Sequence, residues 1–147
     1  ARSFGANHAI NYKETDFVKA VLDWTGGKGV DIAFDTVGGK TLAQTFSAVR
    51  YYGDVVTLLA PGPEMDWSVP RVRNQRVSFE LMLIPVFFDL PEAMTHQGEI
   101  LRRCTELFEA RELRIHVDKT FPLEQAAEAH ALVASGKTKG KIVLTVD

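Results

Sequence analysis

The chain has 147 residues, of which 46% are hydrophobic and 24% charged, and this composition is ordinary for a globular protein. Its formal net charge of −2 shows none of the excess positive charge that is typical of nucleic-acid-binding proteins. Its most apolar stretch, residues 81–88, is too short to span a bilayer. The single cysteine, Cys104, allows neither an internal disulfide nor a zinc site built on several cysteines within the chain, and this cysteine usage indicates a cytoplasmic protein. The net charge and the short apolar stretch indicate that neither nucleic acid nor a membrane is a partner.

The first part of the chain is predicted to contain the end of a helix, a short strand and a second helix. The opening letters ARSFGA are typical of the last turn of a helix ended by Gly5, so we expect a fragment of a longer protein. Residues 8–12 predict a short strand. Thr15 or Asp16 then caps a helix, which ends at the glycine pair that starts with Gly26.

Three further strands are predicted with one helix among them. Residues 30–35 form an apolar run typical of a strand buried on both faces, residues 41–49 have apolar side chains at helical spacing, and residues 55–60 predict the next strand. A loop over residues 61–70 precedes a third long strand over residues 77–84. This alternation predicts an α/β fold with part of a doubly wound, Rossmann-type parallel sheet.

The pattern changes in the last third of the chain. Residues 97–112 predict an amphipathic helix and residues 115–121 alternate as a half-exposed strand does. A helix opened by proline over residues 122–134 and a strand over residues 141–146 follow. We therefore expect a C-terminal helix-strand-helix-strand segment, which could be a second structural unit.

The candidates for chemistry lie where the predicted strands end, because ligands of open α/β sheets bind outside the carboxyl ends of the strands. These ends read Asp35-Thr36-Val37-Gly38, Leu59-Ala60-Pro61-Gly62 and Leu83-Ile84-Pro85. Gly38 and Gly39 would let a ligand approach the backbone, or would only make a tight turn, and their spacing leaves both readings open. Asp35 could face a ligand, but the free N–H groups after it favour a role as turn cap.

Other motifs of catalysis do not occur in the chain. There is no G-x-G-x-x-G and no P-loop, and no histidine stands at metal-ligand spacing from another ligand. His116 and His130 are expected in solvent, and Cys104 is expected in the core. Catalytic residues and a metal site are therefore not assigned.

Four stretches, taken together, resemble a known superfamily. FGANHAINYKETDF, TGGKGVDIAFDTVGG, GDVVTLLA and FPLEQAAEAHALVASGKTKGKIVLTV are similar to the medium-chain dehydrogenase/reductase superfamily, in its quinone-oxidoreductase-like branch, often labelled zinc-binding dehydrogenase. The resemblance covers nearly the whole chain in the right order. It implies that residues 1–112 are the latter part of an NAD(P)-binding Rossmann domain, and that residues 113–147 return to a GroES-like catalytic domain.

The resemblance also implies an activity. Members of the superfamily are NAD(P)H-dependent oxidoreductases, and hydride transfer to a small-molecule carbonyl, enone or quinone is expected, with NADP(H) preferred to NAD(H). The glycine-rich turn that holds the pyrophosphate, the substrate contacts and any zinc ligands would lie outside this segment, so we expect no zinc site here. We expect the chain alone to be inactive.

Five cofactor-binding residues are implied by the same resemblance. Tyr12 would lie near the adenosine phosphate, Val37 and Gly38 along the cofactor, and Leu59 and Ala60 towards the nicotinamide. The sequence departs from the superfamily at one of them, because Ala60 stands where the usual pattern has a glycine.

Strand order adds expectations about assembly. In the classic order, residues 8–12 would have no neighbour in this chain and residues 30–35 would form an exposed edge. The resemblance implies a homodimer through the strand at residues 77–84. The alternative is a non-catalytic dimerising α/β module without cofactor; a small independent ligand-binding domain is disfavoured by the truncated first helix.

Overall fold

The computed structural model describes residues 1–63 and 65–146 of the chain. They form two compact units, Ala1–Pro91 and Glu92–Asp147. The assignment of the residues to two domains of a longer protein, with a boundary after residue 112, stays a prediction.

The first unit contains a parallel sheet of three strands, in the order β1-β2-β3. Strand β1 is Val30–Asp35, β2 is Val49–Thr57 and β3 is Arg76–Phe79. Both pairings are parallel, which confirms the predicted α/β class. Arg76 donates hydrogen bonds of 2.6 and 2.5 Å to Asp54 across β2 and β3, and these bonds hold the pKa of the Asp54 carboxyl below its usual value.

Two predicted helices of this unit are observed, one with its predicted start and one that begins two residues earlier than predicted. Helix α1, Phe17–Trp24, starts at Asp16, whose carboxylate accepts hydrogen bonds from the N–H groups of Val18 at 2.8 Å and Lys19 at 3.1 Å. This settles which of the two possible caps is used. Helix α2, Gly39–Ala48, follows the turn after β1.

The core of the unit lies between α2 and β2. Leu42 and Phe46 of α2 and Val49 and Val55 of β2 are fully buried. Five partly buried apolar side chains surround them: Val30, Ala33, Met65, Val69 and Val77. The helical spacing of Leu42 and Phe46 and the alternation along β2 produce this contact.

Two expectations about strands are corrected and a third is confirmed. Residues 8–12 form no strand, because a strand needs a hydrogen-bonded neighbour and the described strands pair only with one another. Strand β1 is not buried on both faces: Ile32 is 65% and Phe34 62% exposed, whereas Asp35 on the other face is buried. The expectation that β1 is an exposed edge is confirmed among the described residues.

The third strand is shorter than predicted. Strand β3 ends at Phe79, and after a turn the chain forms the short helix α4, Ile84–Phe87, with Pro85 in its first turn. Proline cannot donate to a sheet ladder but fits the start of a helix. The loop after β2 likewise contains a short helix, α3, Ser68–Val72.

The second unit has the predicted order of elements. Helix α5 is Pro91–Glu109, strand β4 is Val117–Pro122, helix α6 is Ala126–Ala134 and strand β5 is Lys141–Thr145. Strands β4 and β5 pair in parallel. Cys104 is half-buried on α5, so its expected core position is wrong: α5 has no buried residue. None of the helices in the described part of the chain is long and apolar enough to cross a membrane.

Candidate functional site

The turn after β1 is organised by Asp35. This residue is 5% exposed, and its carboxylate accepts hydrogen bonds from the N–H of Val37 at 3.3 Å and the N–H of Gly38 at 2.9 Å. The predicted role of Asp35 as a turn cap is therefore confirmed. The carboxylate faces the backbone of its own turn, which fixes the positions of Val37 and Gly38.

The turn after β1 meets the turn after β2 at Gly38. Gly38 has φ 74° and ψ −166°, a conformation that favours glycine. A Cβ atom at this position would stand 2.8 Å from the Cβ of Leu59 and 3.2 Å from the carbonyl oxygen of Ala60. The tight turn that the spacing allowed is observed, and it packs directly on the second turn, whereas the approach of a ligand to the backbone of Gly38 stays a prediction.

The turn after β2 is tied to the first strand through its backbone. Strand β2 begins earlier and ends earlier than the predicted strand over residues 55–60, and Leu59 and Ala60 lie in the turn that follows its end at Thr57. The N–H of Leu58 donates to the carbonyl of Asp35 at 3.1 Å. The carboxyl ends of β1 and β2 thus form one continuous edge.

An open cleft of about 750 Å³ lies beside this edge. Both Tyr12 and Val37 line the cleft, and they are 74% and 63% exposed. It also carries the polar side chains of Lys13, Thr41 and Gln44, which sequence reasoning did not select. Their spacing in the sequence gave no signal, because the segment before α1, which carries Lys13, and helix α2, which carries Thr41 and Gln44, share a cleft only in the folded unit.

The five implied cofactor residues therefore fall into two contacts. Gly38 meets Leu59 and Ala60, while Tyr12 and Val37 share the cleft. Val37 and Gly38 are neighbours in the chain, so the two contacts are joined. Their roles towards a cofactor stay a prediction.

Other candidate groups lie in solvent. His116 and His130 are exposed, as predicted, and the ring of Trp24 stacks on His8 with centroids 5.3 Å apart. Among the described residues, no group of three or more histidine, cysteine and acidic side chains could hold a metal ion.

Two curated proteins with similar sequences are oxidoreductases by name. The chain is 34% identical to the 2-haloacrylate reductase of a Burkholderia species, over 98% of this chain and 43% of that protein. It is 31% identical to a probable quinone oxidoreductase of Schizosaccharomyces pombe, over 95% of this chain and 41% of that protein. The chain thus spans less than half the length of these relatives.

Structural similarity agrees with the sequence. The crystal structure of an alcohol dehydrogenase superfamily protein from Novosphingobium aromaticivorans matches with a TM-score of 0.87 and 28% identity, covering 99% of this chain and 44% of that one. Residues 4–144 match the model of the protein family described as zinc-binding dehydrogenase. The resemblance found in the sequence is confirmed: this chain belongs to the zinc-binding dehydrogenase family.

Proposed function

We propose that the protein carrying this chain is an NAD(P)H-dependent oxidoreductase that reduces a small, electron-poor carbonyl, enone or quinone. The bound cofactor would supply the hydride. The main support is the packed contact between Gly38 and the Leu59–Ala60 turn, because it joins the carboxyl ends of two parallel strands, where open α/β sheets bind ligands. Relatives named for reduction of 2-haloacrylate and of quinones support an electron-poor acceptor.

The residues of the chain would bind and orient the cofactor. Val37 and Gly38 would lie along it, Leu59 and Ala60 would face its nicotinamide end, and Tyr12 would lie near its adenosine phosphate. Asp35 has a different task, because its carboxylate is already engaged by backbone N–H groups.

The proposal includes a preference for NADP(H). Lys13 lines the same cleft as Tyr12, and a cation there suits the 2′-phosphate that distinguishes NADP(H) from NAD(H). The carboxylates of Glu14 and Asp16, which also line this cleft, oppose that preference. A comparison of NADPH and NADH affinities, in the wild type and in Lys13→Met, tests it: the substitution should weaken NADPH binding and leave NADH binding unchanged.

The test of the function compares two charged substitutions in the protein that carries the chain. Val37→Asp should raise the KM for the cofactor about tenfold, because a carboxylate would face the anionic cofactor. Val72→Asp on α3 is the matched control, since Val72 is 69% exposed and does not line the cleft. The measurement is oxidation of NADPH with enone and quinone acceptors. Absence of turnover with every acceptor, or equal effects of the two variants, would contradict the proposal.

A dimerising module without cofactor predicts a different result. In that case neither NADPH nor NADH would change the fluorescence of Trp24 and Trp67. For the enzyme we further propose a homodimer through residues 77–84 and a location in the cytoplasm. Support for the dimer comes from β3, which is an edge strand among the described residues and precedes a run of exposed apolar side chains.

A further inference from the structure

We infer that Asp35 and Thr57 are positioning residues, which lock the two turns of the proposed cofactor edge into one arrangement. The inference rests on the proposed function for its effect on catalysis. The link between the turns stands on geometry alone.

The link is a hydrogen bond between neighbouring strands. Asp35 of β1 and Thr57 of β2 are register partners in the sheet, and they are 5% and 1% exposed. The hydroxyl of Thr57 donates to Oδ2 of Asp35 at 2.8 Å. The same oxygen accepts the hydrogen bond from the N–H of Gly38 at 2.9 Å.

The hydroxyl of Thr57 also reaches the second turn. Its oxygen accepts a hydrogen bond from the N–H of Leu59 at 3.2 Å, and the carbonyl oxygen of Leu59 lies 3.0 Å away. A hydroxyl has one proton and two acceptors are within reach, so the charged carboxylate of Asp35 is the stronger competitor for it.

A continuous chain of hydrogen bonds results. The N–H of Leu59 donates to the hydroxyl of Thr57, and this hydroxyl donates to the carboxylate of Asp35. The same carboxylate accepts hydrogen bonds from the N–H groups of Val37 and Gly38. The hydrogen bonds in a buried chain of this kind polarise and strengthen one another, and they hold the bonded groups in fixed positions. These hydrogen bonds connect the two turns at the point where Gly38 packs against Leu59 and no Cβ atom would fit on Gly38.

The consequence for catalysis concerns geometry rather than affinity. If the two turns carry different parts of the cofactor, their relative position sets the distance over which hydride moves. A misplacement of about 1 Å at a reacting centre costs about 10²-fold in rate. Loss of the Thr57 hydroxyl should therefore lower kcat more than it raises the KM for the cofactor.

Three threonine variants of the protein that carries the chain test this. Thr57→Val removes the hydroxyl at nearly constant volume and should lower kcat by about 10- to 100-fold. Thr57→Ser keeps the hydroxyl and should restore kcat to within a few-fold of the wild type. Thr45→Val is the control, because the hydroxyl of Thr45 is also buried but donates to Thr41 within helix α2 at 2.9 Å.

Each outcome decides the inference. An unchanged kcat in Thr57→Val, with only a lower Tm, would overturn it, because a purely structural hydroxyl would behave in this way. Failure of Thr57→Ser to restore kcat would do the same. If Thr57→Val does not fold, Asp35→Asn replaces it, because this change keeps the side-chain volume and should also lower kcat.

A second measurement needs no activity, so it separates this inference from the proposed function. Amide hydrogen exchange of Gly38 in the protein that carries the chain should accelerate in Thr57→Val and remain slow in Thr57→Ser and Thr45→Val. Unchanged exchange at Gly38 would refute the link. If exchange responds but the wild-type protein oxidises no NAD(P)H, the proposed function fails and the link between the turns stands.

Discussion

Among single residues, Gly38 is constrained in two independent ways. Its positive φ of 74° disfavours any side chain, and the Cβ of Leu59 occupies the space into which a side chain would point. Asp35 and Gly38 therefore form one unit, in which the carboxylate fixes the turn and the glycine permits the contact with the next one. Both residue types are visible in the sequence DTVGG, but the partner of the contact is not.

Substitution of Gly38 by alanine should be costly. Strain of the backbone and collision with Leu59 together predict a loss of about 2 kcal/mol or more in the free energy of unfolding, measured by chemical denaturation. Gly62→Ala is the control, because a Cβ atom there would only reach ordinary contact at 3.7 Å from Gly39, and its expected effect is within about 0.5 kcal/mol. Equal free energies of unfolding for the two variants would contradict this prediction, because the turn would then accommodate a side chain at position 38 without strain or collision.

At the scale of elements, the start of α1 follows the sequence more closely than the ends of β2 and β3 do. Helix α1 begins at a side-chain cap that is local in sequence, whereas β2 and β3 end where pairing stops. The apolar run at residues 81–88 fits a strand or a buried helix equally well by periodicity. Its actual course, a turn followed by α4, depends on Pro85 and on the end of the β3 ladder.

The cap of α1 gives a prediction at this scale. Asp16→Ala should lower the free energy of unfolding by about 1 kcal/mol, because the N–H groups of Val18 and Lys19 lose their acceptor. Thr15→Ala, at the other cap position that the sequence allowed, should have little effect. Thermal unfolding of the two variants measures the difference, and a larger effect of Thr15→Ala would mean that the cap is assigned to the wrong residue.

At the scale of the whole molecule, two surfaces of the first unit could support self-association. Ile32 and Phe34 are exposed on one face of the edge strand β1. The other surface follows the opposite edge strand, β3, and consists of exposed apolar side chains: Leu81, Met82, Leu83, Val86, Phe87 and Phe88. The homodimer that we propose uses the second surface.

Two matched substitutions distinguish these surfaces. Leu81→Asp should dissociate the dimer, because a charge would have to be buried in the contact, whereas Ile32→Asp should leave it intact. Light scattering on the eluting protein measures the mass. Leu81 is 54% and Ile32 65% exposed, so neither change should unfold the chain. A dimer that persists in Leu81→Asp, or dissociates in Ile32→Asp, would place the interface elsewhere.

Local signals in the sequence were enough to predict the order of most elements, the α/β class and the turn-capping role of Asp35. Alternation, helical spacing, an acid before a glycine pair and a cap before an apolar stripe act within a few residues, so they can be read along the chain. Thr57 carried a weaker signal of the same kind: it is a hydroxyl in the otherwise apolar run VVTLL, immediately before a turn.

The tertiary structure decided the properties that depend on residues far apart in the chain. Helix α2 packs on the face of the sheet that carries Ala33 and Val55, so Ile32 and Phe34 on the other face are exposed. Strand pairing leaves residues 8–12 outside the sheet. The same pairing brought Thr57 beside Asp35 and Leu59 against Gly38. The sequence alone determined which turns the site contains, because turns are local, but only the sheet register decided that they touch, because register is set by contacts between strands.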